Sequence, residues 1–134
     1  MLLWFWQLPQ NIIGFFLTRK KELIGSVGEG ICFNVYYKKN FWGSGVCLGD
    51  YIILDYKYLG KSDRTAQKHE YGHHLQSVKL GWLYLIIIGL PSIVFNIYDR
   101  IFHKNWTILQ RLIWYYNLPW ESWADRLGKV DRKK

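Results

Sequence analysis

Hydrophobic and polar positions alternate with a different rhythm in each quarter of the chain. Residues 1–18, within MLLWFWQLPQNIIGFFLTRKK, are apolar but interrupted by Gln7, Pro9, Gln10 and Asn11. Polar groups in mid-segment argue against a clean spanning helix, because unsatisfied polar groups are costly in lipid. The pattern predicts an amphipathic or broken segment lying in a membrane interface. A secretory signal would place positive charge before the apolar stretch and a small-residue cleavage site after it. Neither is present, so the segment is expected to be kept.

Residues 24 to 60 change to β-branched and aromatic runs: ICFNVYYKK, FWGSGVCLG and DYIILDYKY, separated by Asn40 and by Gly49-Asp50. They predict a small antiparallel sheet of about three strands, with Gly25, Gly28 and Gly30 in the turn leading in. KSDRTAQKHEYGHHLQSVKLG then reads as a helix, capped by Ser62 or Asp63 and ended by Gly81. Ala66, His69, His73, Gln76 and Leu80 share one side of it, expected to face the sheet.

Residues 81–98, GWLYLIIIGLPSIVFNIY, carry no formal charge and are long enough for a membrane span. Pro91 cannot donate a helix hydrogen bond, so two short helices turning at Gly89-Leu90-Pro91 and one kinked span are equally compatible with the segment. An amphipathic helix follows up to about Tyr116. Asn117-Leu118-Pro119 breaks it, and a last helix runs from Pro119 to Gly128.

With 134 residues the chain has room for one domain. Its eight Trp and ten Tyr exceed what a core of this size needs and suit a lipid boundary. The net charge of +8 is scattered except for two RKK clusters, at 19–21 and 132–134. Basic clusters beside apolar segments suit an anionic bilayer, and no nucleic-acid partner is expected. Positive charge after the first apolar segment leans toward membrane association on the cytoplasmic face. Cys32 and Cys47 form no CxxC pair. They read as buried free thiols, with a single bridge between neighbouring strands as the alternative.

The chemistry concentrates in His69-Glu70-Tyr71-Gly72-His73, an H-E-x-x-H pattern. Two imidazoles at i and i+4 on a helix can share one zinc ion, and a Glu offset by one position can serve as general base for a water bound there. From four His and four Glu in a chain of 134 residues, about 0.003 such matches are expected by chance. Zinc needs a third protein ligand. Glu22, Glu29 and Glu121 are the remaining glutamates, and Glu121 opens ESWAD. Asp125 lies one helical turn later and can accept the free N–H of a ligand histidine. By itself Glu121 would pass as a first-turn acid complementing a helix dipole.

HEYGH followed downstream by ESWAD resembles the gluzincin metallopeptidases. The resemblance implies His69, His73 and Glu121 as zinc ligands, Glu70 as catalytic base and Asp125 as the partner behind a ligand histidine. It implies an α+β, minimal zincin-like fold: a small antiparallel sheet, the HExxH helix, a hydrophobic helical hairpin and a C-terminal ExxAD helix. SGVCLGDYIILD upstream is similar to the sheet whose edge strand holds substrate in that group. The hairpin between the motifs is similar to the membrane-embedded members. The chain is short for a peptidase and leaves no separate substrate-binding subdomain. No transition-state donor is matched by motif, and Tyr71, His74, Tyr115 and Tyr116 qualify by type only.

Zinc binding also restricts topology. A single crossing by 81–98 would leave Glu121 across the bilayer from His69 and His73, and a return would carry His103, Lys104 and Arg111 through lipid. Either a hairpin that dips in and returns through Gly89-Leu90-Pro91 or packing of 81–98 on the protein avoids both; the expectation is the hairpin, a monotopic anchor shared with residues 1–18. His74 is expected off the ligand face, solvated or hydrogen-bonded, with Gln76 orienting a ligand or loop and His103 interfacial. The expected activity is that of a membrane-associated zinc hydrolase, a metallopeptidase acting on a peptide or protein substrate. Two alternatives are a non-catalytic zinc-stabilised peptide-binding domain and a basic membrane-surface adaptor.

Overall fold

A computed structural model describes residues 2–19, 23–28, 34–38, 45–58 and 64–132. Cys32, Glu22, Glu29, Gly30, Asn40 and the cap candidates Ser62 and Asp63 lie outside the described residues, so the expectations attached to them, a Cys32–Cys47 bridge among them, do too. The architecture is α+β. Two N-terminal helices, α1 (Leu2–Trp6) and α2 (Leu8–Thr18), precede strands β1 (Leu23–Gly28), β2 (Asn34–Lys38), β3 (Gly45–Leu48) and β4 (Tyr51–Asp55). Then come α3 (Thr65–Leu80), α4 (Leu90–Phe102), α5 (Ile108–Tyr116) and α6 (Pro119–Leu127).

The sheet differs from the simple antiparallel expectation. Its four strands run in the order β1-β2-β4-β3, and the central pair β2–β4 is parallel. The outer pairs, β1–β2 and β3–β4, are antiparallel. Gly25 and Gly28 are not in a turn but inside β1. Strand order depends on which edge a hairpin docks against, and no local sequence pattern encodes that. The β3–β4 hairpin sits outside β2, so β3 becomes an edge strand beside α3. Val35, Tyr37, Cys47, Ile52 and Leu54 form the core, with Tyr58 and Ala66 packed on it.

Residues 2–18 fold inside out. Gln7, Gln10 and Asn11 are fully buried, while Leu2, Phe5, Trp6 and Phe16 are exposed. Gln10 Nε2 donates to Ser77 Oγ and to the Gly81 carbonyl, both at 2.8 Å. Asn11 Oδ1 accepts the Asp50 N–H at 2.7 Å, which ties α2 to the β3–β4 turn. The polar residues that interrupt the apolar run are therefore the docking face.

Gly81 ends α3 in the left-handed region (φ 56°), and a Cβ there would lie 2.3 Å from the Trp6 ring. Beyond it the chain does not reverse at Gly89-Leu90-Pro91, as the favoured hairpin required, and follows the continuous alternative. Gly89 and Leu90 are helical, and the Leu90 N–H reaches back to the Leu85 carbonyl. This π turn (Leu85–Gly89) absorbs the register slip that a ring without an N–H imposes, so the helix continues through Pro91. The reversal comes at residues 103–107, where a Thr107/Gln110 capping box starts α5. Among the described residues, Leu85–Phe102 is the one helix long and apolar enough to cross a membrane, and 6% of it is buried.

His103 is buried at this reversal, not interfacial as expected. It pairs with Asp99 at 2.9 Å and stacks on Trp106. Arg111 reaches the other Asp99 oxygen at 2.6 Å, so these charges neutralise one another at the hairpin tip.

Candidate metal centre

α3 and α6 bring the sequence motifs together. They cross so closely that a Cβ on Gly72 would lie 1.9 Å from the Ala124 carbonyl oxygen, and one on Gly128 equally close to the Lys68 carbonyl. Glycine and alanine at the crossing let the backbones touch. Glu121, in the first turn of α6, then lies over His69 and His73, and all three are buried.

Three donor atoms form a nearly regular triangle. His69 Nε2 is 3.0 Å and His73 Nε2 3.1 Å from Glu121 Oε2, and the two nitrogens are 3.1 Å apart. This group could hold a metal ion. A tetrahedral ion with bonds of about 2.0–2.1 Å sets neighbouring donors about 3.3 Å apart, so the triangle matches with minimal adjustment.

Each donor is held from behind. His69 Nδ1–H donates to Asp125 Oδ1 and His73 Nδ1–H to Gln76 Oε1, both at 2.7 Å, which directs the Nε2 lone pairs inward. Gln76 is itself fixed by donating to the Trp120 carbonyl. Glu121 Oε1 accepts from Ser92 Oγ at 2.6 Å and from the Tyr115 hydroxyl at 3.2 Å, leaving Oε2 for the centre. Arg132 grips Asp125 through two bonds, at 2.7 and 3.1 Å, and its guanidinium lies 3.4 Å from the centre of the Tyr116 ring. That ring meets His69 edge-on.

Electrostatics follow from this packing. Burial opposes a charged His69, but the Asp125 and Glu121 carboxylates outweigh it and push its pKa up to about 9. Burial likewise acts to raise Glu121, yet His73 and His69 hold it well below the usual carboxylate range. Glu70 responds oppositely. Burial raises its pKa although His69 and His73 pull it down. A Cβ on Gly45 would stand 3.1 Å from Glu70 Oε1, so β3 leaves room for this carboxylate because residue 45 has no side chain.

No protein-family model, curated protein or solved structure matches the chain.

The donors floor a cleft of about 270 Å³. Edge strand β3 forms one wall, and Leu85, Gly89, Leu90 and Ile93 form the other. Glu70, Ser92, Asn96, Tyr115 and Tyr116 also face it. Of the four residues eligible by type as transition-state donors, Tyr115 and Tyr116 line the cleft. Tyr71 instead stacks on His74, whose Nδ1–H donates to the Gly49 carbonyl. His74 is thus hydrogen-bonded and off the ligand face, as expected. Cys47 is a buried free thiol, its pKa raised by burial. A second depression, about 480 Å³, lies behind Tyr115 and Tyr116 between Lys57, Arg111 and Arg132, and includes none of the three donors.

Ser92, Tyr115 and Arg132 escape the motif reading. Ser92 and Asn96 carried a signal, being the two hydrogen-bonding side chains within residues 85–97 and four apart, hence on one helix face. Arg132 carried none, since it sits in a basic cluster that composition assigns to the membrane.

Proposed function

We propose that this chain is a small membrane-associated zinc hydrolase, a metallopeptidase of gluzincin type with a minimal zincin-like fold. The observation that carries the reading is the buried His69–His73–Glu121 triangle with each donor locked from behind and a buried glutamate, Glu70, one residue from the first histidine. Two imidazoles and one carboxylate, leaving a fourth position open, suit catalytic zinc.

Held by His69, His73 and Glu121, zinc would supply Lewis acidity sufficient to bring the pKa of water to about 7 and to polarise a carbonyl. Glu70 takes a proton from the attacking water as its oxygen bonds to the carbonyl carbon. It then delivers that proton to the leaving nitrogen as the C–N bond breaks, giving a carboxylic acid and an amine. Asp125 and Gln76 hold the ligand imidazoles in the productive tautomer. Ser92 and Tyr115 keep Glu121 turned toward the centre through one oxygen.

Two features support membrane association: the inside-out N-terminal helices and the outward apolar side chains of Leu85–Phe102. The net charge of +8 favours an anionic, cytoplasmic leaflet. The test is zinc per chain by elemental analysis for wild type, His73→Ala and Glu121→Ala, with peptide hydrolysis by wild type and Glu70→Gln. One zinc in wild type, lost in both ligand variants, and hydrolysis abolished by Glu70→Gln are expected. Zinc without hydrolysis would convert the reading to a zinc-stabilised peptide-binding domain. Glu121→Ala holding zinc as tightly as wild type would refute the ligand set.

A further inference from the structure

The cleft and the outer apolar surface share a boundary. Leu90 and Ile93 line the cleft yet are 58% and 52% exposed. Around the same helix they continue into Ile86, Ile87, Val94 and Ile97, all exposed. On this side the cleft has an apolar lip, and its polar groups sit at the floor.

That surface extends past the helix. Trp82 Nε1 donates to the Phe5 carbonyl, and Trp6 Nε1 to the Val78 carbonyl. These bonds hold the exposed apolar residues of α1 beside Trp82, which with Leu83 is exposed just ahead of Leu85–Phe102. Exposed apolar surface of this kind marks a membrane or protein interaction site.

Position along the helix adds a length argument. The eighteen residues Leu85–Phe102 span about 27 Å, close to the thickness of a bilayer's hydrocarbon core. Ser92, which bonds Glu121, lies about 10 Å from the Leu85 end. A helix lying in lipid thus carries its metal-facing residue well inside the apolar stretch.

We infer that the cleft is entered from the lipid side, over Leu90 and Ile93, and that its substrate is a membrane-held polypeptide segment with bulky apolar side chains. This rests on the hydrolase reading above. Val46 and Leu48 on the strand wall, with Leu85, Leu90 and Ile93 opposite, offer apolar contacts to such side chains. A free polar peptide would have to cross a lip with nothing to replace its hydration.

The test uses full-length, zinc-loaded protein in nanodiscs of phosphatidylcholine and phosphatidylglycerol. A benzophenone amino acid replaces Ile93 in the Glu70→Gln background, with Arg126, exposed on α6, as control position. Hydrolysis by otherwise wild-type protein is measured on one apolar decapeptide in two forms, free and N-palmitoylated. Expected are phospholipid adducts at position 93 but not 126, displaced by the palmitoylated peptide, and kcat/KM about tenfold higher for the palmitoylated form. Leu90→Lys should shrink that preference.

Hydrolysis of both forms at equal rates, with no lipid adduct at position 93, overturns lipid-side entry and leaves the hydrolase standing. Adducts to a second copy of the chain in place of lipid also overturn it, making the face a dimer interface. Lipid adducts displaced by the palmitoylated peptide, with neither form cleaved, sink the hydrolase reading alone and retain the apolar, membrane-held ligand.

Discussion

Replacing Gly72 by alanine tests how the centre is assembled, because the change touches none of the donors. The new Cβ would stand 1.9 Å from the Ala124 carbonyl oxygen and 2.6 Å from its carbon. Both are backbone atoms of α6, so no side chain can swing away. Relief requires α3 and α6 to part by about 1.3 Å, and overpacking of this kind costs about 1–3 kcal/mol. Glu121 rides on α6, so its Oε2, now 3.0 and 3.1 Å from the histidine nitrogens, moves with the helix. Coordination tolerates about 0.2 Å, and the shift is several times larger.

Zinc affinity should therefore fall about 10–100-fold, the range seen when a supporting partner is lost. At saturating zinc that removes a further 1.4–2.7 kcal/mol, roughly, of metal-linked stability. The assay is chelator competition for affinity, with thermal unfolding in zinc and in EDTA. Gly89→Ala is the control, since its Cβ would meet Leu85 Cδ2 at 3.5 Å and the Tyr84 carbonyl oxygen at 3.9 Å, both ordinary contacts. That variant should be neutral or up to about 1 kcal/mol more stable through helix propensity. If Gly72→Ala bound zinc within twofold of wild type and unfolded at the same temperature, the close α3–α6 crossing would not be what sets the triangle.

Other perturbations separate the roles of neighbouring groups. Ser92→Ala deletes the 2.6 Å bond to Glu121 Oε1, leaving Tyr115 alone to hold that oxygen; zinc affinity should drop about tenfold, read by the same competition. Gln10→Leu strips donors from Ser77 and the Gly81 carbonyl and should destabilise the fold by about 1–3 kcal/mol in denaturant titrations. Phe16→Ser, at a position 65% exposed on the opposite side of α2, should leave stability within about 0.5 kcal/mol but weaken partitioning onto anionic vesicles about tenfold. Zinc removal by EDTA should lower the unfolding temperature of wild type, whereas Glu121→Ala should show no difference with and without the chelator.

Local periodicity made part of this molecule legible. Histidines four apart on a helix share a face whatever surrounds them, and Gly81 closes that helix as its composition suggests. Strand order was not legible: β2 and β4 lie parallel because the β3–β4 hairpin docks outside β2, a long-range choice. Pro91 left the choice between a turn and a kinked span open for a different reason. Its missing N–H predicts a break only if the preceding turn stays α-helical, and the π turn at Leu85–Gly89 offers another solution. Arg132 shows the limit of composition, because a residue in a basic tail turns out to clamp the carboxylate behind His69.

The N-terminal segment carries the same lesson further. In a soluble helix the polar side faces water and the apolar side the core, and α2 reverses both. Gln10 and Asn11 bond to α3, the Gly81 carbonyl and the β3–β4 turn, while Ile12, Ile13 and Phe16 point outward. Exposing those three side chains to water has no compensating gain, and polar groups buried in protein make sense where the alternative surroundings are lipid. The helix 85–102 obeys the same rule, with Ser92 and Asn96 toward the cleft and Ile86, Ile87, Val94 and Ile97 outward. Two segments distant in sequence are thus sorted by one physical criterion: hydrogen-bonding side chains face the body that carries the His69–His73–Glu121 group, and the exposed apolar side chains face away from it, the arrangement expected of segments whose solvent is a bilayer.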